Sequence, residues 1–410
     1  MTLTRVSPGS RQSPAAGEAA GAGPAVRPPW VIFGDDWGRH VSTMQHLFRT
    51  MVGDDPIVWV NSYGHRLPQL TLYDLGRAAR KIQRMLRPEP PAAVTGPVPS
   101  RIVHPKALPW HNLQVVQAFN ERSLLRDIRR ALAAVSPGVA PYFVTGTPMT
   151  PGIVGQLGEQ AAIYFCMDDY AELPNVTGNM IRPLEEKLLT VVDGVVATAR
   201  VLVEKKVPRS GRVQYLPQGV NYEHFSEPRP VPADLAHLPR PIIGFAGGVS
   251  AACDIDLLLG LADANPTGTV ALVGPVSIDT TRLTRPNLVL LGNRPYAELP
   301  AYVQGFDVGI IPYILNDWTR AVDPLKLLEY LAAGIPVVST ELPEVLKYRD
   351  VVHVARSNDD FIGAVRRALA GEGATRSVRQ ALALENTWNR RGETLRTFVT
   401  QIARERQGQR

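Results

Sequence analysis

Two cysteines in 410 residues are too few for a disulfide framework. Cys166 and Cys253 both sit in apolar surroundings and read as small core residues of a protein in a reducing compartment. The eight histidines show neither HExxH nor Cys/His spacing, so no structural zinc is expected. No apolar run approaches the ~20 residues of a membrane span, and the N-terminus lacks a signal peptide's apolar core. The expected location is therefore cytoplasmic. Neither half carries GxGxxG with a downstream acid, which argues against a nicotinamide-dependent dehydrogenase. Helix-turn-helix, RRM-like and zinc-finger patterns are also missing, so nucleic acid is not an expected partner.

What remains is a globular chain with 45% hydrophobic and 20% charged residues, long enough for two domains of ~150–200 residues. A net charge of +6 and a pI near 9.4 call for an anionic partner, either anionic lipid or a nucleotide sugar. Residues 1–28 are rich in Ala, Gly, Pro and Ser without periodicity and read as a disordered tail.

The most informative stretch is Arg320 to Thr340. Asp323 is placed to cap a helix and Pro324 to begin it. Gly334 closes it and Pro336 forbids its continuation. Ile335 to Val338 is then a buried strand, and Asp307 to Pro312 upstream is another, so the stretch is a βαβ unit. Ligands in such sheets collect beyond the carboxyl ends of the strands, where helix N-termini point. Lys326 and Glu329 share a helix face near that end. A cation there suits a diphosphate, and a carboxylate one turn on suits sugar hydroxyls. An i,i+3 surface ion pair explains the spacing too.

Earlier in the chain, Trp30 to Gly34 is a buried strand running into a loop, Asp35 to His40. A helix follows, with Ser42 as its N-cap. Residues 71–87 form an amphipathic helix whose second stripe is Arg77, Arg80, Lys81, Arg84 and Arg87. That face fits anionic lipid headgroups or plain solvent. Ala161 to Cys166 is a buried strand ending at Asp168 and Asp169, adjacent carboxylates of which at most one faces a cleft. Pro241 to Gly248 is a strand entering a glycine loop, where Gly247 and Gly248 permit close approach to a phosphate.

Asp323-Pro-Leu-Lys-Leu-Leu-Glu-Tyr-Leu-Ala-Ala-Gly-Ile-Pro-Val-Val338 resembles the nucleotide-sugar signature of GT-B glycosyltransferases, the superfamily of glycogen and sucrose synthases. Asp168-Asp-Tyr170 resembles bacterial envelope transferases of the teichuronic-acid-biosynthesis type. Val213 to Phe225 is similar to the "PNGVD…F" passage between domains, with Gln218 and Asn221 as departures. The resemblance implies an α/β fold of two Rossmann-like domains, 29–218 for the acceptor and 219–386 for the donor. Between them lies a cleft, and a helix over 387–410, anchored by Trp388, crosses back to the first domain. It implies Lys326 on the diphosphate, Glu329 on the ribose, and Gly247, Gly248, Arg294 and Arg320 as further donor contacts. Trp37, Arg39 and His40 would belong to a loop closing over donor and acceptor.

The implied reaction moves a sugar from a nucleotide-diphosphate donor to an envelope polysaccharide, lipid-linked or natural-product acceptor, with retention. Domain closure would gate it, and peripheral contact with the inner face of the membrane would come through 71–87. Two departures stand out. The first of the superfamily's two glutamates, eight positions before Glu329, falls on Ala321. The Arg and Lys that clamp the diphosphate are missing from Gly247 to Asp256. Inversion with Asp168, Asp169 or His40 as base stays open, as do an NDP-sugar epimerase and a degenerate partner subunit.

Overall fold

The computed structural model describes residues 27–39, 41–63, 96–105, 114–174 and 178–409. His40 and the basic stretch 71–87 lie outside them. Among the described residues, seven parallel strands form the first sheet: Trp30–Phe33 (β1), Ile57–Val60 (β2), Arg101–Val103 (β3), Tyr142–Thr145 (β4), Ala161–Cys166 (β5), Gly194–Ala197 (β6) and Val213–Tyr215 (β7). Six more form the second: Ile242–Ala246 (β8), Thr269–Val273 (β9), Leu288–Gly292 (β10), Val308–Ile311 (β11), Val337–Thr340 (β12) and His353–Ala355 (β13). The orders are β3-β2-β1-β4-β5-β6-β7 and β10-β9-β8-β11-β12-β13. In each the order reverses, beside β1 and beside β8, and that reversal opens a crevice at the strands' carboxyl ends. β1, β5 and β11 are buried along their whole length. Such unalternating strands need helices on both faces, which a parallel sheet's crossovers supply.

The halves are joined twice. Val220 pairs with Thr387, and the helix Trp388–Gly408 then runs back over the first sheet. Its Leu395, Val399 and Ile402 share a core with Trp30, Phe48 and Ile163. Arg396 fixes it to Asp55 at 2.6 Å. The second junction is a polar network. Glu344, 1% exposed, accepts from the Arg200 N–H and the Tyr215 hydroxyl, both at 2.5 Å. Lys347 donates to Glu344 at 2.9 Å and to Asp323 at 3.3 Å.

Asp323 therefore does not cap the following helix, contrary to its position in the motif. Its carboxylate accepts from the Gln218 N–H at 2.8 Å, across the junction. Pro324 takes the capping position of Leu325–Ala333, and no side chain caps that helix. The Leu327 N–H donates to the Pro324 carbonyl at 3.1 Å, and no side chain takes up the N–H groups of Leu325 and Lys326. At the other end Gly334 adopts φ 79°, a left-handed conformation that an L side chain adopts only with strain.

Candidate active site

Between the sheets lie two connected chambers, of about 1370 Å³ and about 540 Å³. Leu325 and Lys326 line both. The first turn of their helix therefore forms the partition, with its positive dipole end and an ammonium group at the junction. Gly247 meets Lys326 directly. A Cβ on Gly247 would lie 2.6 Å from the Lys326 Cε, so a side chain there would displace the end of the lysine from this position. Lys326 turns to Tyr313 rather than to Glu329. Its Nζ donates to the Tyr313 hydroxyl and lies over the Tyr313 and Phe245 rings, at 4.7 and 5.1 Å from their centroids. An aromatic cage holds a cation without neutralising it, which keeps the charge usable by an anionic ligand.

Glu329 lines the larger chamber. Burial pushes its carboxyl up to about 7, against the pull of Lys326. Gly248 and Arg39 line the same chamber. So does Arg294, but its guanidinium is already engaged, at 2.7 Å from Asp234 and 2.6 Å from the Tyr302 hydroxyl. Arg320 belongs to neither lining among the described residues; it sits exposed on a short turn, Thr319–Ala321. Ala321, in place of the first glutamate, is fully buried with Tyr164, Cys166 and Leu202 of the first half. Trp37 is not a reactive loop residue either. It is 7% exposed, packed edge-on to Trp59 at 4.7 Å with the Arg49 guanidinium 5.4 Å from its centroid.

The structure adds residues that the sequence did not single out. His46 and Arg49, three apart on the helix Thr43–Arg49, face the larger chamber. The His46 ring stacks on Trp388 at 5.4 Å and meets Tyr296 edge-on at 4.9 Å. Burial first, then the charges of Arg49 and His224, push its imidazole down to about 3. It is a neutral packing ring at the junction. The i,i+3 spacing was the only available signal, and it cannot tell which helix face meets a second domain.

The smaller chamber contains Asp35 and Asp168, each just beyond the carboxyl end of a strand, β1 and β5. Burial pushes the Asp168 carboxyl up to about 7 against a lowering pull from the Trp318 side chain, and the negative charges of Asp35 and Asp169 add to the rise. Asp169 points the other way, as expected for adjacent side chains. It is tied to Lys206 at 2.9 Å and Lys205 at 3.1 Å, and Lys206 also meets Glu185 at 2.6 Å. Asp169 is thereby removed from the candidate bases. Among the described residues, no three or more His, Cys, Asp or Glu side chains are grouped to hold a metal.

Residues 240–371 match the family described as glycosyl transferases group 1. Over 253 residues the chain is 31% identical to a Bacillus subtilis protein carrying the provisional name teichuronic acid biosynthesis glycosyltransferase TuaH, covering 55% of this chain and 64% of that relative. The chain thus spans a little under two thirds of that relative's length. In structure it is similar to sucrose-phosphate synthase of Thermosynechococcus elongatus, at a TM-score of 0.60 and 15% identity over 93% of this chain and 98% of that one. It is similar also to Anabaena HepE in complex with UDP, at a TM-score of 0.62 and 11% identity over 92% of this chain and 100% of that one. At such identities the likeness shows the fold, which is GT-B.

Proposed function

We propose that the protein transfers a sugar from a nucleotide diphosphate to an acceptor hydroxyl, a reading supported by the match of residues 240–371 to the group 1 glycosyl transferases and by the GT-B fold. The observation that carries this reading is the helix Leu325–Ala333, uncapped at its N-terminus, with Lys326 and Glu329 one turn apart on the larger chamber. The diphosphate lies against the helix end and the caged ammonium, and Glu329 takes the ribose hydroxyls. That the neighbour HepE was solved with UDP and with UDP-glucose supports a donor of this kind. The name of the Bacillus subtilis relative supports an envelope acceptor.

Asp168 lines the smaller chamber, where it orients the acceptor hydroxyl. The C1–O bond to the diphosphate breaks as the bond from the acceptor oxygen forms. In the retaining reaction we favour, the acceptor proton passes to the departing diphosphate. A second reading, inversion with Asp168 taking the proton, is favoured by one observation, the carboxyl poised near neutral pH. A separate acceptor chamber favours transfer over epimerisation of the donor alone. The cation and helix dipole supply the charge stabilisation, and on this reading no metal is required. No described helix is long and apolar enough to cross a membrane. A cytoplasmic location, with contact to anionic lipid through 71–87, belongs to the same proposal.

Lys326→Ala is expected to weaken donor binding by about 1–3 kcal/mol, the range for a lost charge-assisted contact. In calorimetry that is a roughly 5- to 150-fold rise in Kd. An unchanged Kd would remove Lys326 from the donor site.

A further inference from the structure

The smaller chamber differs in chemistry from the larger one. Besides Asp168, its lining includes Met149, Met167, Leu173 and Ile181, all half-buried. Several polar side chains of the same wall are already committed. The Thr43 hydroxyl donates to Gln218 Oε1 at 2.9 Å, Ser42 Oγ accepts from the Gln45 N–H at 3.4 Å, and the Tyr170 hydroxyl donates to the Gly146 carbonyl. Polar groups of the lining that can still meet a ligand are the Asp35 and Asp168 carboxylates, the Gln218 amide nitrogen, the Tyr313 hydroxyl and, at the partition, Lys326. No arginine or asparagine is among them.

A sugar ring shows hydroxyls on every side, and each must find a partner when water is removed. This lining sets few polar side chains, the carboxylates of Asp35 and Asp168 foremost, among thioether and alkyl groups. The carboxylates also repel a phosphate-bearing acceptor. Methionines, flexible and polarisable, fit flat or irregular apolar bodies well. A volume of about 540 Å³ lies within the ~300–1,000 Å³ of sites for small, drug-sized molecules.

We propose that the acceptor is an uncharged alcohol or phenol whose hydroxyl meets Asp168 while its hydrocarbon or aromatic body lies on Met149, Met167, Leu173 and Ile181. This rests on the transferase reading and narrows its acceptor class. In the step, the acceptor O–H bond breaks and an O–C1 bond to the sugar forms. The nucleoside diphosphate leaves with the C1–O electron pair and the proton.

Saturation-transfer NMR with 1-naphthol and with methyl α-glucoside, on the wild type, Met149→Gln and Leu173→Gln, tests it. Two separate variants at half-buried positions guard against one that misfolds. The expected result is saturable 1-naphthol binding, weakened at least tenfold in each folded variant, with no binding of methyl α-glucoside. Binding of the glucoside, 1-naphthol affinity unchanged in the variants, or binding of neither probe would overturn the assignment. A calorimetric titration of the same wild-type sample with UDP-glucose, GDP-mannose, dTDP-glucose and ADP-glucose separates the two failures. If a donor still binds, only the acceptor class is wrong; if none binds, the transferase reading has failed.

Discussion

Asp168→Asn is expected to lower kcat by roughly 10²–10⁴-fold, the range for losing a positioned acid or base, while donor affinity stays within about twofold. Asp168 lines the smaller chamber, away from Glu329 and Gly247, so its loss should fall on the acceptor step. The wild-type pH profile carries the same signature. With its carboxyl pushed up to about 7, the ionised form is half populated near neutrality. The rate should therefore rise with pH through that region and fall as acid protonates the group. In Asp168→Asn this acid limb should vanish. The anomer of the product, read by NMR, then separates the two roles: an inverted product assigns proton removal to Asp168, and a retained one assigns it orientation. An unchanged rate with an unchanged profile would remove Asp168 from the reaction.

Lys206→Met is expected to destabilise the first domain by about 3–5 kcal/mol, because it strands the buried Glu185 and leaves Asp169 with only the half-exposed Lys205. Lys206, Asp169 and Glu185 have side-chain exposures of 9%, 6% and 5%, and the Tyr164 hydroxyl adds a bond to Glu185 at 2.7 Å. For a unit of this size the loss corresponds to a fall in Tm of roughly 6–20 °C by circular dichroism. Adding Asp169→Leu and Glu185→Met should recover much of it, since the cost lies in the unpaired charges. Burial raises the Asp169 carboxyl, but Lys206 and Lys205 outweigh burial and hold it below the usual carboxylate range. A group so depressed stabilises the fold at neutral pH, and that contribution is lost as pH falls through its folded value. This cluster sits directly behind Asp168, so it also fixes which of the two adjacent carboxylates reaches the cleft.

Much of the scaffold was legible because its signals are local. β5 spans the residues marked by its apolar run, and Gly334 ends its helix in the left-handed conformation the motif requires. Lys326 and Glu329 could be placed on one chamber because i,i+3 spacing fixes a shared face without knowledge of the rest of the chain. Asp323 was misread for the complementary reason. Its partners, Gln218 and Lys347, are 105 and 24 residues away, and a local capping rule cannot weigh such competitors. Trp37 was placed in a closing loop through the family resemblance alone, yet Trp59 from the next strand packs edge-on against it. The tyrosine cage on Lys326 and the His46–Tyr296 contact exist only once separate strands and helices are assembled. Asp35 was passed over since a lone carboxylate after a strand means little until Asp168 is placed in the same chamber.

The most direct test of a nucleotide-sugar site in this cleft is calorimetric titration with UDP-, GDP-, dTDP- and ADP-sugars on the wild type and on Glu329→Ala. The expected result is tight binding of one donor, weakened by about 1.5–3 kcal/mol when the ribose contact to a charged group is lost. Failure of every donor to bind a folded wild-type protein, or equal affinity in Glu329→Ala, would contradict it.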